Sequence, residues 1–555
     1  MDARRTILTL VFVGSLFFLW DAWMRQSSAP QPPAPAEATA TPATAPTSTP
    51  TGALPAPMSP PAAPLPMAGP MAGPMSAGEP QALPAETFTL KNRDLELLVD
   101  AQGARFVQAR LLDQASDQYS GGFVRLFDRE RLYEAQTGLV GSGVQGKVLP
   151  NHTVRFLPLP LRPEDNPERT LLLAAEAGGL KLIKRITLSE TGHQVRIQHT
   201  VLNTGADTAT PTIYLQFLRN GDPAPGESSF YQTFTGPALY TEQGKFQKVN
   251  FSDIEKGRRD YVQRASDGWM SIVQHYFVSA WVIQNQAARE FYTRKVGENQ
   301  YAAGILQAFP AVAPGAQQTH EVVLYVGPQV QRVLETLAPG LDLVVDYSWL
   351  TFIAKPIYWL LELLYQLVPN WGWAIVLLTI IIKALFYPLS AASYKSMAKM
   401  KAVAPRMTAL RDRYGEDKAK FNQAMMELYK TEKINPLGGC LPVLIQIPVF
   451  LALYWVLLAS VEMRNAPWIL WINDLAAPDP YYVLPVVMAA TMFLQTKLNP
   501  PPPDPLQAKV MMFLPLVFSV FFFFFPAGLV LYWLVNNIVS IAQQWFIMKR
   551  MNVPV

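Results

Sequence analysis

Lys383 constrains this chain more than any other residue. It sits inside Trp373–Ser390, which reads Trp-Ala-Ile-Val-Leu-Leu-Thr-Ile-Ile-Ile-Lys-Ala-Leu-Phe-Tyr-Pro-Leu-Ser. About seventeen apolar residues at ~1.5 Å each reach roughly 25 Å, close to the hydrocarbon thickness of a bilayer. A charge at that depth costs roughly 2.5–3.5 kcal/mol on insertion scales when it faces lipid. The stretch therefore reads as a membrane span whose lysine has two options. It turns into a wet cavity, or it snorkels on its long stem to the headgroups. It lies about 10 Å from the boundary expected at Ser390, so spacing leaves both open.

The apolar runs and the charges between them define a topology. Arg4 and Arg5 precede an apolar run ending in Leu-Trp-Asp-Ala-Trp, which reads as an uncleaved anchor over residues 1–25. A cleaved signal peptide is the rival reading, but it would want a small-x-small exit. Further spans are expected at 371–389, 437–460, 481–497, 510–525 and 528–548. A polar helical hairpin over 390–436 turns at Tyr414-Gly415, with bases at Lys395, Lys399, Lys401, Arg406, Arg411, Arg413, Lys418, Lys420, Lys430 and Lys433. Its acids are Asp412, Glu416, Asp417, Glu427 and Glu432, so the positive excess marks the cytoplasmic side. Residues 461–480 then form an outer loop, 498–509 an inner loop, and 549–555 a short inner tail. Six spans result, an N-terminal anchor and a five-helix core, with both termini in the cytoplasm.

Residues 26–84 are rich in Pro, Ala, Ser and Thr and cannot bury enough apolar surface to offset ordering entropy, so they read as a disordered tether. From 85 to 340 the pattern changes to period two, as in Leu180-Lys-Leu-Ile-Lys-Arg-Ile-Thr-Leu and Thr212-Ile-Tyr-Leu-Gln-Phe-Leu. Many short strands without long helices predict one large antiparallel β-sandwich, placed outside the cytoplasm by the anchor. The following segment, 341–370, is apolar but striped. Ser348, Lys355, Glu362 and Gln366 share one helix face, and Trp349, Tyr358, Trp359 and Tyr365 suit the headgroup level. It reads as an amphipathic helix in the outer interface rather than a further span, because Lys355 and Glu362 would sit mid-membrane.

Composition excludes several functions. The net charge of +4 is small, and no nucleic-acid site is evident. Cys440 stands alone, so no intrachain disulfide or thiolate metal cage forms. None of His152, His193, His199, His275 and His320 shows metal-ligand spacing, and no phosphate-binding loop occurs. Neither a metal, a cofactor nor a catalytic set is expected.

The polar residues inside the spans point elsewhere. Thr379 and Lys383 share a face, and Gln446, Asn536 and Asn537 lie within other spans. Such side chains turn to a bundle interior or a wet cavity. Together they suggest a hydrophilic groove open to the cytoplasm, although single amides also serve as glue between helices. Phe518, Tyr532 and Trp533 form an apolar side that is either core or lipid surface, or a slide for a foreign helix. Met400, Met407, Met425 and Met426 on the hairpin either zip its arms together or offer a compliant surface for varied apolar segments.

Four motifs carry a family resemblance: Ser396-Met-Ala-Lys-Met, Asn435-Pro-Leu-Gly-Gly-Cys-Leu-Pro-Val-Leu-Ile-Gln-Ile-Pro, Asp479-Pro-Tyr-Tyr-Val-Leu-Pro and Phe525-Pro-Ala-Gly-Leu-Val-Leu-Tyr-Trp. Over about Tyr347–Met548 the chain resembles the YidC membrane protein insertases, with their mitochondrial and thylakoid relatives. Gly268-Trp-Met-Ser-Ile-Val-Gln-His-Tyr-Phe resembles a segment of that family's periplasmic sandwich, whose fold is similar to sugar mutarotases. The resemblance implies an insertase and folding chaperone of the bacterial inner membrane. Its partners would be newly made membrane proteins, the lipid bilayer, the Sec translocon with its accessory subunits, and the ribosome through the basic hairpin. It also implies a groove with a basic residue, usually arginine. Here that position is Lys383, which keeps the charge and loses the forked donor geometry. Thr379 matches a family threonine, and Trp533 matches a functional tyrosine. Two other readings stand beside this one: a polytopic transporter, and a membrane-anchored carbohydrate-binding or carbohydrate-processing protein acting through the sandwich.

Overall fold

The computed structural model describes residues 86–551, apart from 117–121, 142–147, 226–232, 415–416, 433, 435–440, 500–509, 511 and 514–518. The expected anchor and tether, all but the first two residues of the inner loop expected at 498–509, and Phe518 lie outside the described residues.

The N-terminal half is the antiparallel sandwich that period-two alternation predicts. One nine-stranded sheet runs from Thr87–Lys91 through Leu95–Asp100, Arg105–Ala115, Glu134–Val140, Thr212–Asn220, Gln300–Ala308 and Arg289–Gly297 to Arg264–Ala265, with Phe123–Arg125 paired beside Arg105–Ala115. The other runs from Lys245–Lys248 through Gly236–Thr241, Trp269–Val273, Phe277–Val282, Gln317–Pro328, Gln194–Asn203, Leu180–Leu188 and Thr170–Ala177 to Leu157–Pro158. The pleat sends alternate side chains to opposite faces, so Leu180, Leu182, Ile186 and Leu188 all enter the core.

The same alternation buries Lys184. Its Nζ donates to the carbonyls of Gly103 and Thr137, each at 2.8 Å, and lies 4.6 Å from the centre of the Phe156 ring. Both carbonyls belong to the opposite sheet or its turns, so the lysine ties the layers together. A short helix, α1 (Phe251–Glu255), covers one sheet, and α2 (Gln331–Leu337) follows the last strand.

The C-terminal half is helical: α3 (Thr351–Leu367), α4 (Trp371–Leu385), α5 (Tyr387–Ala402), α6 (Ala404–Tyr414), α7 (Lys418–Thr431), α8 (Leu441–Ala459), α9 (Val483–Leu498) and α10 (Ala527–Arg550). No single described helix is long and apolar enough to cross a membrane, whereas the pair α4 and α5, bent by 67° at their junction, passes on length and composition. Residues 510–525 are described only in part.

The striped segment before α4 has three distinct faces. Ala354, Ile357, Tyr358, Leu361 and Leu364 are buried in the apolar core formed with α4 and α8. Trp349, Phe352, Trp359 and Leu367 are exposed. The charged stripe turns to the sandwich: Lys355 pairs with Asp342, and Glu362 pairs with Arg332 of α2 at 2.5 Å. The sandwich also holds the C-terminal end of α8. His275 Nε2 makes a hydrogen bond of 2.9 Å to the Leu458 carbonyl. Arg464 donates to Gln114 Oε1 at 3.2 Å and lies over the rings of Tyr276 and Phe277.

Candidate functional site

Asn370 caps α4, its Oδ1 accepting from the Trp373 amide at 3.1 Å. The helix ends two residues after Lys383, because Tyr387-Pro388 opens the next helix where a missing N–H is harmless. Lys383 thus occupies the last turn of α4, where a cation meets the negative end of the helix dipole.

A cavity of about 450 Å³ opens beside it. Its wall comes from α4 (Lys383), α5 (Ser390, Ser393, Tyr394, Met397), α8 (Gln446, Ile447, Phe450), α9 with the residue after it (Gln495, Asn499) and α10 (Tyr532, Trp533, Asn536, Asn537, Ser540). None of the described lining residues is acidic.

Lys383 is only 5% exposed. Its Nζ donates to Ser540 Oγ at 2.8 Å and reaches Gln446 Oε1 at 3.4 Å. Gln446 Nε2 donates to Asn536 Oδ1 at 2.8 Å, so one short network joins three helices. A lower layer continues it, with Gln495 Nε2 donating to Gln544 Oε1 at 2.6 Å and Gln544 Nε2 to Asn499 Oδ1 at 3.3 Å. Burying an ammonium without a counter-ion is costly unless polar groups replace its water, and neutral oxygens do so here only in part.

The residues singled out from the sequence divide. Lys383, Gln446, Asn536 and Asn537 come together in the cavity wall. Thr379 is buried one turn before Lys383, but its hydroxyl donates to the Ile375 carbonyl of its own helix at 2.7 Å. It is not among the lining residues. Tyr532 and Trp533 line the apolar side, both against Phe450, with ring centroids at 6.1 Å and 4.7 Å. The Trp533 indole N–H is buried without a partner among the described residues.

Of the four methionines, Met407 is buried against Tyr429 with Met400 and Met425 packed on the same cluster, and Met426 is 48% exposed. The first three thus pack where α6 and α7 meet. Ser540, Ser390, Ser393 and Asn499 are among the lining residues that sequence reasoning left out. Helical spacing could have found the first: Asn536, Ser540 and Gln544 lie four apart, on one stripe of α10. Among the described residues no group of three His, Cys, Asp or Glu could hold a metal ion.

Comparisons with known proteins cover both halves. Residues 87–360 match the family model described as the YidC periplasmic domain, and residues 363–553 match that of the 60Kd inner membrane protein. The chain is 52% identical to the membrane protein insertase YidC of Bordetella avium over 553 residues, covering 99% of this chain and 98% of that one. It is 50% identical to the YidC of Bordetella parapertussis over 568 residues, with the same coverage of 99% and 98%. Among solved structures it is similar to an active YidC insertase with its first transmembrane domain resolved, at 17% identity over 83% of this chain and 92% of that chain, with a TM-score of 0.40.

Proposed function

This chain belongs to the YidC family of membrane protein insertases, an inner-membrane family with a periplasmic domain and not an enzyme family, and from that premise we propose how its own residues carry out insertion. The chain crosses the membrane six times, with both termini and the helices α5 to α7 in the cytoplasm. The sandwich stands in the periplasm, and α3 lies along the outer interface. The substrate is a newly made membrane protein whose apolar segment bears a short polar tail. Met426 and the neighbouring surface of α6 and α7 meet that segment first. The basic charge of these helices suits contact with a ribosome, and the Sec translocon is the expected partner for larger substrates.

The tail then enters the cavity beside Lys383. Gln446, Asn536 and Asn537 replace part of its hydration, and the ammonium attracts an acidic residue. An acidic residue moving outward also gains up to ~2.3 kcal/mol per 100 mV from the membrane potential. The apolar segment follows along Tyr532 and Trp533, with Phe518 as the expected continuation, and leaves into lipid. Burying about twenty apolar residues drives the step, so no nucleotide is needed.

One observation carries this reading: a buried cation beside a cavity whose largely apolar walls carry amides and hydroxyls but, among the described residues, no acid. The test is insertion of a small tail-translocated protein by Lys383→Arg, Lys383→Ala and Lys383→Glu variants. Arginine should retain activity, alanine should reduce it and glutamate should nearly abolish it for acidic tails. Equal insertion by all three would remove the groove charge from the mechanism.

A further inference from the structure

A lysine stem is flexible, and near a membrane boundary it ordinarily extends toward the headgroups. Lys383 instead folds inward, and the hydrogen bonds around it explain why. Ser540 has one proton, and it is committed: Oγ donates to the Asn536 carbonyl at 2.7 Å, the usual back-bond of a serine on a helix wall. Its oxygen is therefore left as an acceptor facing the ammonium at 2.8 Å. Gln446 is arranged likewise. Its amide N–H₂ is turned to Asn536 Oδ1, which leaves Oε1 toward Lys383. Ser540 is itself only 8% exposed, so water does not readily take its place.

We infer that Ser540 is a positioning residue for Lys383. Its oriented hydroxyl holds the ammonium in the cavity wall and away from the headgroups, and it does so without cancelling the charge. A carboxylate at this position would hold the lysine more tightly and silence its field. A neutral acceptor keeps the cation available to an entering acidic tail. This inference rests on the reading of the cavity as the entry groove.

The experiment uses the full chain in proteoliposomes. It compares insertion of a small reporter bearing either an acidic or a neutral tail, and it follows the rate at which a water-borne amine reagent modifies Lys383, read peptide by peptide. Ser540→Thr keeps the oxygen and should hold the acidic-to-neutral ratio within about twofold of the parent. Ser540→Ala should lower that ratio about tenfold, the size of one hydrogen bond to a charged group, and speed the modification of Lys383. Ser540→Asp should bring the ratio down to that of Lys383→Ala.

A parental ratio in Ser540→Asp overturns the inference, as do equal losses in the alanine and threonine variants. If Lys383→Ala itself leaves the ratio unchanged, the groove reading has failed and the labelling rate decides alone. Faster modification in Ser540→Ala than in Ser540→Thr then supports the positioning role, and equal rates overturn it.

Discussion

Lys355 Nζ lies 2.5 Å from Asp342 Oδ2, and this contact turns a charge within an apolar helix into a joint between the sandwich and the helical half. Asp342 is 8% exposed, so its carboxylate has little water to fall back on. Replacing Lys355 with methionine should lower stability by about 1–2 kcal/mol, less than a fully buried pair would lose because the lysine is partly exposed. The double variant Lys355→Met with Asp342→Leu should recover most of the loss. Thermal unfolding of the full chain in detergent reads this, and strictly additive losses would contradict a direct pair.

Asp479 anchors the start of α9. Its Oδ1 accepts from the Trp471 indole at 2.9 Å and the Tyr481 amide at 3.0 Å, and its Oδ2 accepts from the Leu484 amide at 2.7 Å. Alanine there should cost about 2 kcal/mol, since a helix cap and a buried indole donor are lost together. Asparagine keeps one oxygen and should fall between. Hydrogen exchange at the Leu484 amide should accelerate in the same order, and unchanged exchange in the alanine variant would rule out the capping role.

Gly372 lies under Trp468. A Cβ at this position would meet Trp468 Cδ1 at 2.2 Å and Cγ at 2.3 Å, close to the stem of that side chain. Gly372→Ala must therefore displace the indole from its edge-to-face contact with Trp373, whose ring centre is 5.8 Å away. The expected loss is about 1–3 kcal/mol, with a shift in tryptophan emission. A parental spectrum and stability would show that the loop yields freely.

Lys184 should make stability depend on pH. Burial pushes its amine down from 10.5 to about 7 in the folded chain. Between those values the unfolded chain holds a proton that the native chain lacks. Stability therefore rises with pH through this window, and the penalty is fully present below about 7. The slope is at most on the order of 1.4 kcal/mol per pH unit. Lys184→Met removes the titration, so the parent should gain stability relative to it from pH 7 to 10. Parallel pH profiles would mean that the amine stays charged between the sheets.

Period two in Leu180–Leu188 was enough to predict a half-buried strand, because the pleat follows from backbone geometry alone. It also put Lys184 on the core face, but the carbonyls that accept from it lie 81 and 47 residues away. The stripe of Lys355 and Glu362 was legible as incompatible with lipid. Its partners Asp342 and Arg332 were not, because no local pattern marks which surface packs on a helix.

The groove divides in the same way. A lysine in an apolar run, and amides within other apolar runs, announce themselves by their cost in hydrocarbon, which depends on composition and position along the chain. Ser540 carries no such cost. It is 157 residues from Lys383, and a serine in an apolar helix bonds equally well to its own backbone. Only the packing of α4, α8 and α10 aims its oxygen at the ammonium, because hydrogen-bond direction is set where side chains from separate helices converge.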